Sequence, residues 1–269
     1  MHLNIQGHTL FADTGGVDHQ AGRPTAVFIH GVLNDHRVWL AVSQQVAQWG
    51  WNVLALDLPG HGQSDGPAPS SVEAAADTVV ACLDALGITQ AALIGHSWGS
   101  LIALDAAARD AALHPDRVGA LVMVGTAYPM RVSPALLELS VSDPLKAIEK
   151  ITRYSHAPNT DDGIVQANRR LMQDVHQRDP AAQTMHTGFL ACDQYRGAEV
   201  AVKRLNCRTN WVLGHSDQMT PATAAHALIE WAPHPTVVMV EAGHAIMSEA
   251  PQALAQALHD ALKGLFNQR

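Results

Sequence analysis

Short apolar runs alternate along this chain with longer amphipathic stretches, the pattern of a mostly parallel sheet with helices on both faces. Six runs read as strands, at residues 26–29, 53–56, 91–94, 120–124, 210–213 and 236–240. Each is largely apolar at successive positions, as strands covered on both faces are. Residues 3–6 and 8–12 add an antiparallel edge hairpin, for a twisted sheet of about eight strands. Between the runs lie helical patterns. Ser70-Ser71-Val72-Glu73 fits a capping box, and Gly87 is a stop after Leu86. A helix is predicted directly after Ser97, with Leu101, Leu104 and Ala108 on one face. The last helix starts near Pro251 and carries Leu254, Leu258 and Leu262 on one stripe.

One stretch breaks the alternation. Residues 128–205 hold no strand-like run, only helical segments opened by Asp143-Pro144, Asp161-Asp162 and Asp179-Pro180. The expectation is a helical cap, 128–205, inserted between two strands of a core formed by 1–127 and 206–269. It would sit over the carboxyl edge of the sheet, where active sites of open parallel sheets collect.

Composition narrows the function classes. The 269 residues are 47% hydrophobic and 16% charged, which is globular. A net charge of −8 argues against a nucleic-acid-binding surface, which needs a basic footprint. Residues 131–208 reverse that sign, with 11 basic and 9 acidic residues against 6 and 16 in the rest. Arg153, Arg169, Arg170 and Arg196 fall on predicted helices there. Solvated helix faces are one reading of them, and an arginine reaching a substrate carboxylate is the other. Cys82, Cys192 and Cys207 are an odd set with no CxxC spacing, which points to a reducing compartment and a cytoplasmic protein. No basic region followed by an apolar core marks a signal peptide, and no apolar run approaches the ~20 residues of a membrane span. No HExxH or HxH suggests a metal site, so neither metal nor cofactor is expected.

The chemistry concentrates at a few positions. Gly95-His96-Ser97-Trp98-Gly99 is a GxSxG placed between an apolar strand and an Ala-rich helix, the context that motif requires. A serine hydroxyl needs a neighbouring base. Of 16 histidines, His244 is best placed, after the last strand and before the last helix. His30, His61, His96 and His215 also lie near strand ends, where a structural role is the ordinary reading. Asp217, just beyond the 210–213 strand, is the candidate to orient His244, although an Asp at such a turn is also a common helix cap. The rival position after the 120–124 strand offers Gly125-Thr126 and no carboxylate. The N–H groups of Val32, after His30-Gly31, and of Trp98 are candidates for an oxyanion hole.

Together these features resemble the α/β-hydrolase fold family, in its Ser-Asp-His branch with a helical cap. The matches are His30-Gly31, the segment 57–64 (DLPGHGQS), the Ser97 turn, Pro115-Asp116-Arg117-Val118, the Asp217 turn, Gly243-His244 and Glu249-Ala250-Pro251. They follow the family's order and specify fold far better than substrate. The segment 57–64 reads as structural. Epoxide hydrolases and haloalkane dehalogenases of this family carry Asp where Ser97 stands, so Tyr154 and Tyr195 read as packing or pocket residues. The Gly-rich HGGG loop of one lipase branch is replaced by Val32 and Leu33.

The resemblance implies a cofactor-free serine hydrolase of small or medium carboxylic esters. Leu33, Trp98 and Ala245 are its expected substrate-binding residues, and a small ester-like molecule its partner. Neither nucleic acid nor membrane is expected as a partner, and the oligomeric state stays open. The same triad would serve a carbon–carbon bond hydrolase of ring-cleavage products, a perhydrolase or a thioesterase. From another class, a ligand sensor can keep the triad without turnover.

Overall fold

The computed structural model describes residues 1–265; the end of the second predicted core segment, 266–269, lies outside the described residues. Eight strands form one open sheet. They are β1 (His2–Ile5), β2 (His8–Asp13), β3 (Thr25–Ile29), β4 (Asn52–Leu56), β5 (Ala91–His96), β6 (Val118–Val124), β7 (Arg208–Gly214) and β8 (Pro235–Val240). Their order is β1-β2-β4-β3-β5-β6-β7-β8. The hairpin pairs antiparallel and joins β4 antiparallel, and every later pairing is parallel.

The side-chain period of two divides each central strand between two cores. In β3, Val27 and Ile29 face one core while Ala26 and Phe28 face the other. In β5, Leu93 and Ile94 divide in the same way. The first core is covered by α2 (Val72–Ala85), α3 (Trp98–Asp110), α8 (Ala198–Lys203) and α9 (His226–Trp231). The second is covered by α1 (Leu40–Gln48), the short α10 (Ile246–Glu249) and α11 (Pro251–Leu262). The central strands are thus apolar throughout because neither face meets water. β8 departs from that expectation. As the edge strand it is mostly open, with Val237 and Met239 44% and 38% exposed.

Two helix readings are corrected. Ser71, not Ser70, caps α2: its extended backbone and its Oγ, which accepts from Ala74 N at 3.1 Å, make it the N-cap. Glu73 then falls one position too early for a capping box. The helix after Ser97 is not one-faced. Every residue of α3 except Arg109 is buried, because the helix lies between the sheet, α2 and α8.

Between β6 and β7 run α4 (Pro134–Ser142), α5 (Pro144–Ser155), α6 (Asp162–Arg178), α7 (Thr184–Gln194) and α8. Asp143 and Asp161 cap α5 and α6 through their side chains. Asp179-Pro180 opens only one 3-10 turn, since Asp179 already satisfies the N–H groups of Ala181 and Ala182, and α7 starts afresh at Thr184. These helices share a small core of their own around Ile148, Met172 and Phe189, which also takes in Leu33. Tyr195 ties the segment to α3, its buried hydroxyl donating to Asp105 Oδ1 at 2.9 Å.

The other family-like motifs brace turns. Arg117 is buried against Asp110 and reaches Asp84 at 2.6 Å, joining the ends of α2, α3 and the start of β6. Asp57 accepts from His36 N and Gln63 N, both at 2.7 Å, and Ser64 Oγ donates to its carbonyl at 2.6 Å.

The capping correction is testable. Ser71→Ala lowers folding stability by about 1 kcal/mol in urea unfolding, the usual value of an N-cap. Ser70→Ala changes it by less than about 0.5 kcal/mol, as surface substitutions do. The reverse ranking would restore the capping box.

Candidate active site

Ser97 sits between the last residue of β5 and the first of α3, with φ +54 and ψ −120. A residue with a Cβ holds such a backbone at a cost of order 1–3 kcal/mol, and only where its surroundings over-determine it. The neighbours show how. A Cβ on Gly95 would lie 2.1 Å from Gly99 O, and a Cβ on Gly99 would lie 2.3 Å from Ile29 O. Only glycines let strand, turn and helix approach so closely. Ser97 N donates to Val124 O at 2.9 Å, which holds the turn to β6.

His244 follows β8 on the same sheet edge. Its Nδ1–H donates to Asp217 Oδ2 at 2.8 Å, and Thr220 Oγ1 donates to the same oxygen at 2.8 Å. The other oxygen, Oδ1, accepts from Met219 N at 2.9 Å and Thr220 N at 2.8 Å. Burial pushes the Asp217 carboxyl up, but His244 and the Thr220 donors outweigh it and hold the acid below its ordinary range. An ionised Asp217 fixes the proton on Nδ1 and leaves Nε2 as the ring's acceptor. Ser97 and His244 line one cavity of about 770 Å³. Among the described residues no hydrogen bond joins Ser97 Oγ to His244, a contact that often tightens only when substrate enters.

Of the two expected oxyanion donors, Trp98 follows Ser97 directly and Val32 follows Gly31, which packs against Ser97. Trp98 opens α3, so its N–H has no acceptor within the helix. Val32 and Gly31 line the cavity, and a Cβ on Gly31 would meet Ser97 Cβ at 3.2 Å. Of the expected substrate-binding residues, Ala245 lines the cavity and two do not. The Trp98 ring turns away into the core beneath α3, fully buried, because the helix leaves no face open to the cavity. Leu33 is also fully buried. Its backbone turns to φ +56, which drops the side chain among Ile148, Met172 and Phe189.

The competing histidines separate clearly. His61 and His96 are both pushed down to about 3 by burial. His30 is also lowered by burial; its Nδ1–H donates to Gly31 O at 2.8 Å and its Nε2 accepts from Leu58 N. His215 is half-exposed beside Glu241 at 3.5 Å. Asp35, His36 and Asp57 bring ligand-type atoms within 4.8 Å of one another. Those atoms are already engaged, Asp57 by backbone N–H groups and His36, and Asp35 by the Arg37 fork.

Other residues had not been singled out for the site. His96 Nε2–H donates to the His244 carbonyl at 2.9 Å, joining the residue before Ser97 to the His244 loop. Ser155 O, at the end of α5, accepts from His244 N at 2.7 Å and Ala245 N at 2.9 Å. Glu249 accepts from Gly243 N with one oxygen, and from Ala157 N and Thr160 Oγ1, both at 3.1 Å, with the other. The loop carrying His244 is therefore fastened to the helical segment. In the cavity wall Asn168 Nδ2 donates to His156 Nε2 and Ser248 Oγ, both at 2.8 Å. Glu249 lay within a noted motif; backbone acceptors such as Ser155 O leave no mark in a sequence.

Comparison with known proteins bears on the fold. A family model described as the alpha/beta hydrolase fold matches residues 24–146. The chain has the alpha/beta hydrolase fold. It is similar to a pimeloyl-(acyl-carrier protein) methyl ester esterase of Neisseria meningitidis (serogroup C, strain FAM18), 29% identical over 80% of this chain and 84% of that one. It is also similar to an epoxide hydrolase of Caballeronia sordidicola, 30% identical over 45% of this chain but only 37% of that protein's length. Among solved structures, the enol-lactonase from Burkholderia xenovorans LB400 superposes with a TM-score of 0.84 over 97% of this chain and 99% of that one, at 19% identity. This α/β-hydrolase keeps Ser at the elbow. Tyr195 is committed to Asp105, while Tyr154 lines the cavity. No helix among the described residues is long and apolar enough to cross a membrane.

The buried histidines predict an acid-sensitive fold. In the unfolded chain His61 and His96 protonate near 6.5, but in the folded protein only near 3. Between those values the unfolded state binds more protons, so stability falls as pH falls. By pH 5 each ring costs roughly 2 kcal/mol. His36, raised by Asp57 against the pull of burial, offsets part of this. Urea midpoints should drop from pH 7 to pH 5; a flat profile would show that these rings are not buried and neutral in solution.

Proposed function

We propose that this α/β-hydrolase is a serine esterase that cleaves carboxylic esters through an acyl-enzyme. The observation that carries the reading is the pairing of a strained Ser97 with a His244 whose tautomer is locked by Asp217, on one cavity. In this mechanism Ser97 Oγ attacks the ester carbonyl as its proton passes to His244 Nε2. Negative charge on the carbonyl oxygen is taken up by the N–H groups of Val32 and Trp98. The tetrahedral adduct collapses, the proton moves from His244 to the leaving alcohol, and the acyl group stays on Ser97. Water then gives a proton to His244, attacks the acyl carbonyl, and releases the acid and Ser97. Asp217 stays ionised throughout and stabilises the imidazolium.

The segment 128–205 is proposed as a cap domain over the core. Met130, Leu136, Ile151 and Phe189 from it line the cavity and supply an apolar wall for the substrate's carbon chain. The similarity to a protein named as a methyl ester esterase over 80% of this chain supports ester chemistry. The reading places the enzyme in the cytoplasm, in keeping with its three free, buried cysteines.

Turnover of p-nitrophenyl butyrate and covalent labelling by a fluorophosphonate test the reading. Ser97→Ala should lose both while keeping its thermal transition, with kcat down by as much as about 10⁶. His244→Ala should lose a similar factor, because nucleophile and base act as a unit. His215→Ala should keep activity. An active Ser97→Ala protein would overturn the mechanism.

A further inference from the structure

The cavity's charge is the opposite of the molecule's. The chain carries 25 acidic and 17 basic residues. Yet the cavity wall contains Arg37, Arg131 and Lys150 and not one Asp or Glu. The carboxylates nearest in role, Asp217 and Glu249, lie behind the wall, their oxygens committed to His244, Thr220 and the base loop.

The three cations are not equivalent. Arg37 is already matched: its guanidinium forks onto Asp35, at 2.8 Å in the closer pair, and reaches Asp174 at 2.9 Å. Arg131 and Lys150 have no ion-pair partner among the described residues. Arg131 lies between β6 and α4, and Lys150 lies on α5. The arginines that the sequence offered for this purpose do not line the cavity. Arg169 pairs with Glu149, Arg196 bonds the carbonyls of Asp193 and Tyr195, Arg153 rests over the Tyr154 ring, and Arg170 is exposed.

A wall with a large apolar share and two cations without counter-ions suits a molecule with the same two parts. We propose that the enzyme prefers esters carrying a second, anionic group, a carboxylate or a phosphate, held by Arg131 and Lys150 while the ester carbonyl lies at Ser97. This names the substrate class of the esterase proposed above and rests on that reading. Guanidinium and ammonium both pair with either oxyanion, so the anion's identity is left to the experiment.

The test compares kcat/KM for p-nitrophenyl hexanoate, its ω-carboxylate analogue mono-p-nitrophenyl adipate, and an ω-phosphate analogue. Exposed ion pairs contribute about threefold each, so the charged esters should be favoured about tenfold at low salt. The faster of the two charged esters identifies the anion. That ratio should collapse toward one in 1 M NaCl, where the Debye length is about 3 Å. It should collapse likewise in the Arg131→Gln, Lys150→Gln double variant and persist in Arg153→Gln and Arg170→Gln. A wild-type ratio of one, or a ratio that survives in the double variant, would overturn the proposal. If no ester is turned over, the esterase reading fails on its own. Calorimetry with Ser97→Ala then decides the anion site: monomethyl adipate binding more tightly than dimethyl adipate supports it, and equal affinity overturns it.

Discussion

The site depends on one backbone turn. At Ser97 the chain must leave a buried strand and enter a buried helix within a single residue, and it does so at φ +54. The strain is held because every neighbouring path is blocked. β3 passes so close that Gly99 would strike Ile29 O with any side chain, and α3 presses back on Gly95 in the same way. The packing that imposes this geometry is that of the two cores, since α3 is buried almost all round. Fold stability and the position of Ser97 thus rest on the same set of contacts. Loosening the β3–β5–α3 junction would relax Ser97 toward an ordinary backbone and shift it relative to His244.

His244 is positioned by a different principle. Asp217 and Thr220 fix the ring, but the loop carrying the ring is fixed by the helices between β6 and β7. Ser155 O takes the N–H groups of both His244 and Ala245, and Glu249 spans from Gly243 to Ala157 and Thr160. His96 closes the arrangement by bonding the His244 carbonyl from the nucleophile side. If the segment α4–α8 moved as one body, it would drag the end of α5 and with it the His244 loop. Entry to the cavity leaves His244 in place only if the α5 end stays put while other parts of the wall, such as α4 with Leu136, give way.

Much of this was legible in the sequence, for reasons that can be named. Central parallel strands meet no water on either face, so β3 to β7 stand out as apolar runs. Asp before a helix start marks α5 and α6 because its carboxylate satisfies orphan N–H groups. The placement of Ser97, Asp217 and His244 on one sheet edge was legible because each lies just past an apolar run, where parallel strands end. The failures share a cause. The same Asp-Pro signal at Asp179 is spent on one 3-10 turn. Trp98 and Leu33 flank the site in sequence but point away from it, because helix direction and a positive φ decide where they go. Neither quantity is written in residue type. The fastening of His244 by Ser155 uses only backbone atoms, and so has no residue signature.

Charge follows the same division between local and assembled information. The sequence shows that residues 131–208 are cationic in an acidic chain, but not which cations face inward. Folding sorts them by partner. Those within reach of a carboxylate on a neighbouring helix, such as Arg169 with Glu149, are neutralised on the surface. Arg37, although it lines the cavity, is consumed by Asp35 and Asp174. What remains toward the cavity is whatever the surrounding acids do not reach, namely Arg131 and Lys150. With a low-dielectric apolar wall beside them and no carboxylate in it, their field is directed into the cavity more than it would be from an open surface. The esterase mechanism proposed above needs no such field for its own chemistry, since in it the developing charge at the ester is met by backbone N–H groups. An uncompensated positive field in that place therefore bears on what binds rather than on how the bond breaks.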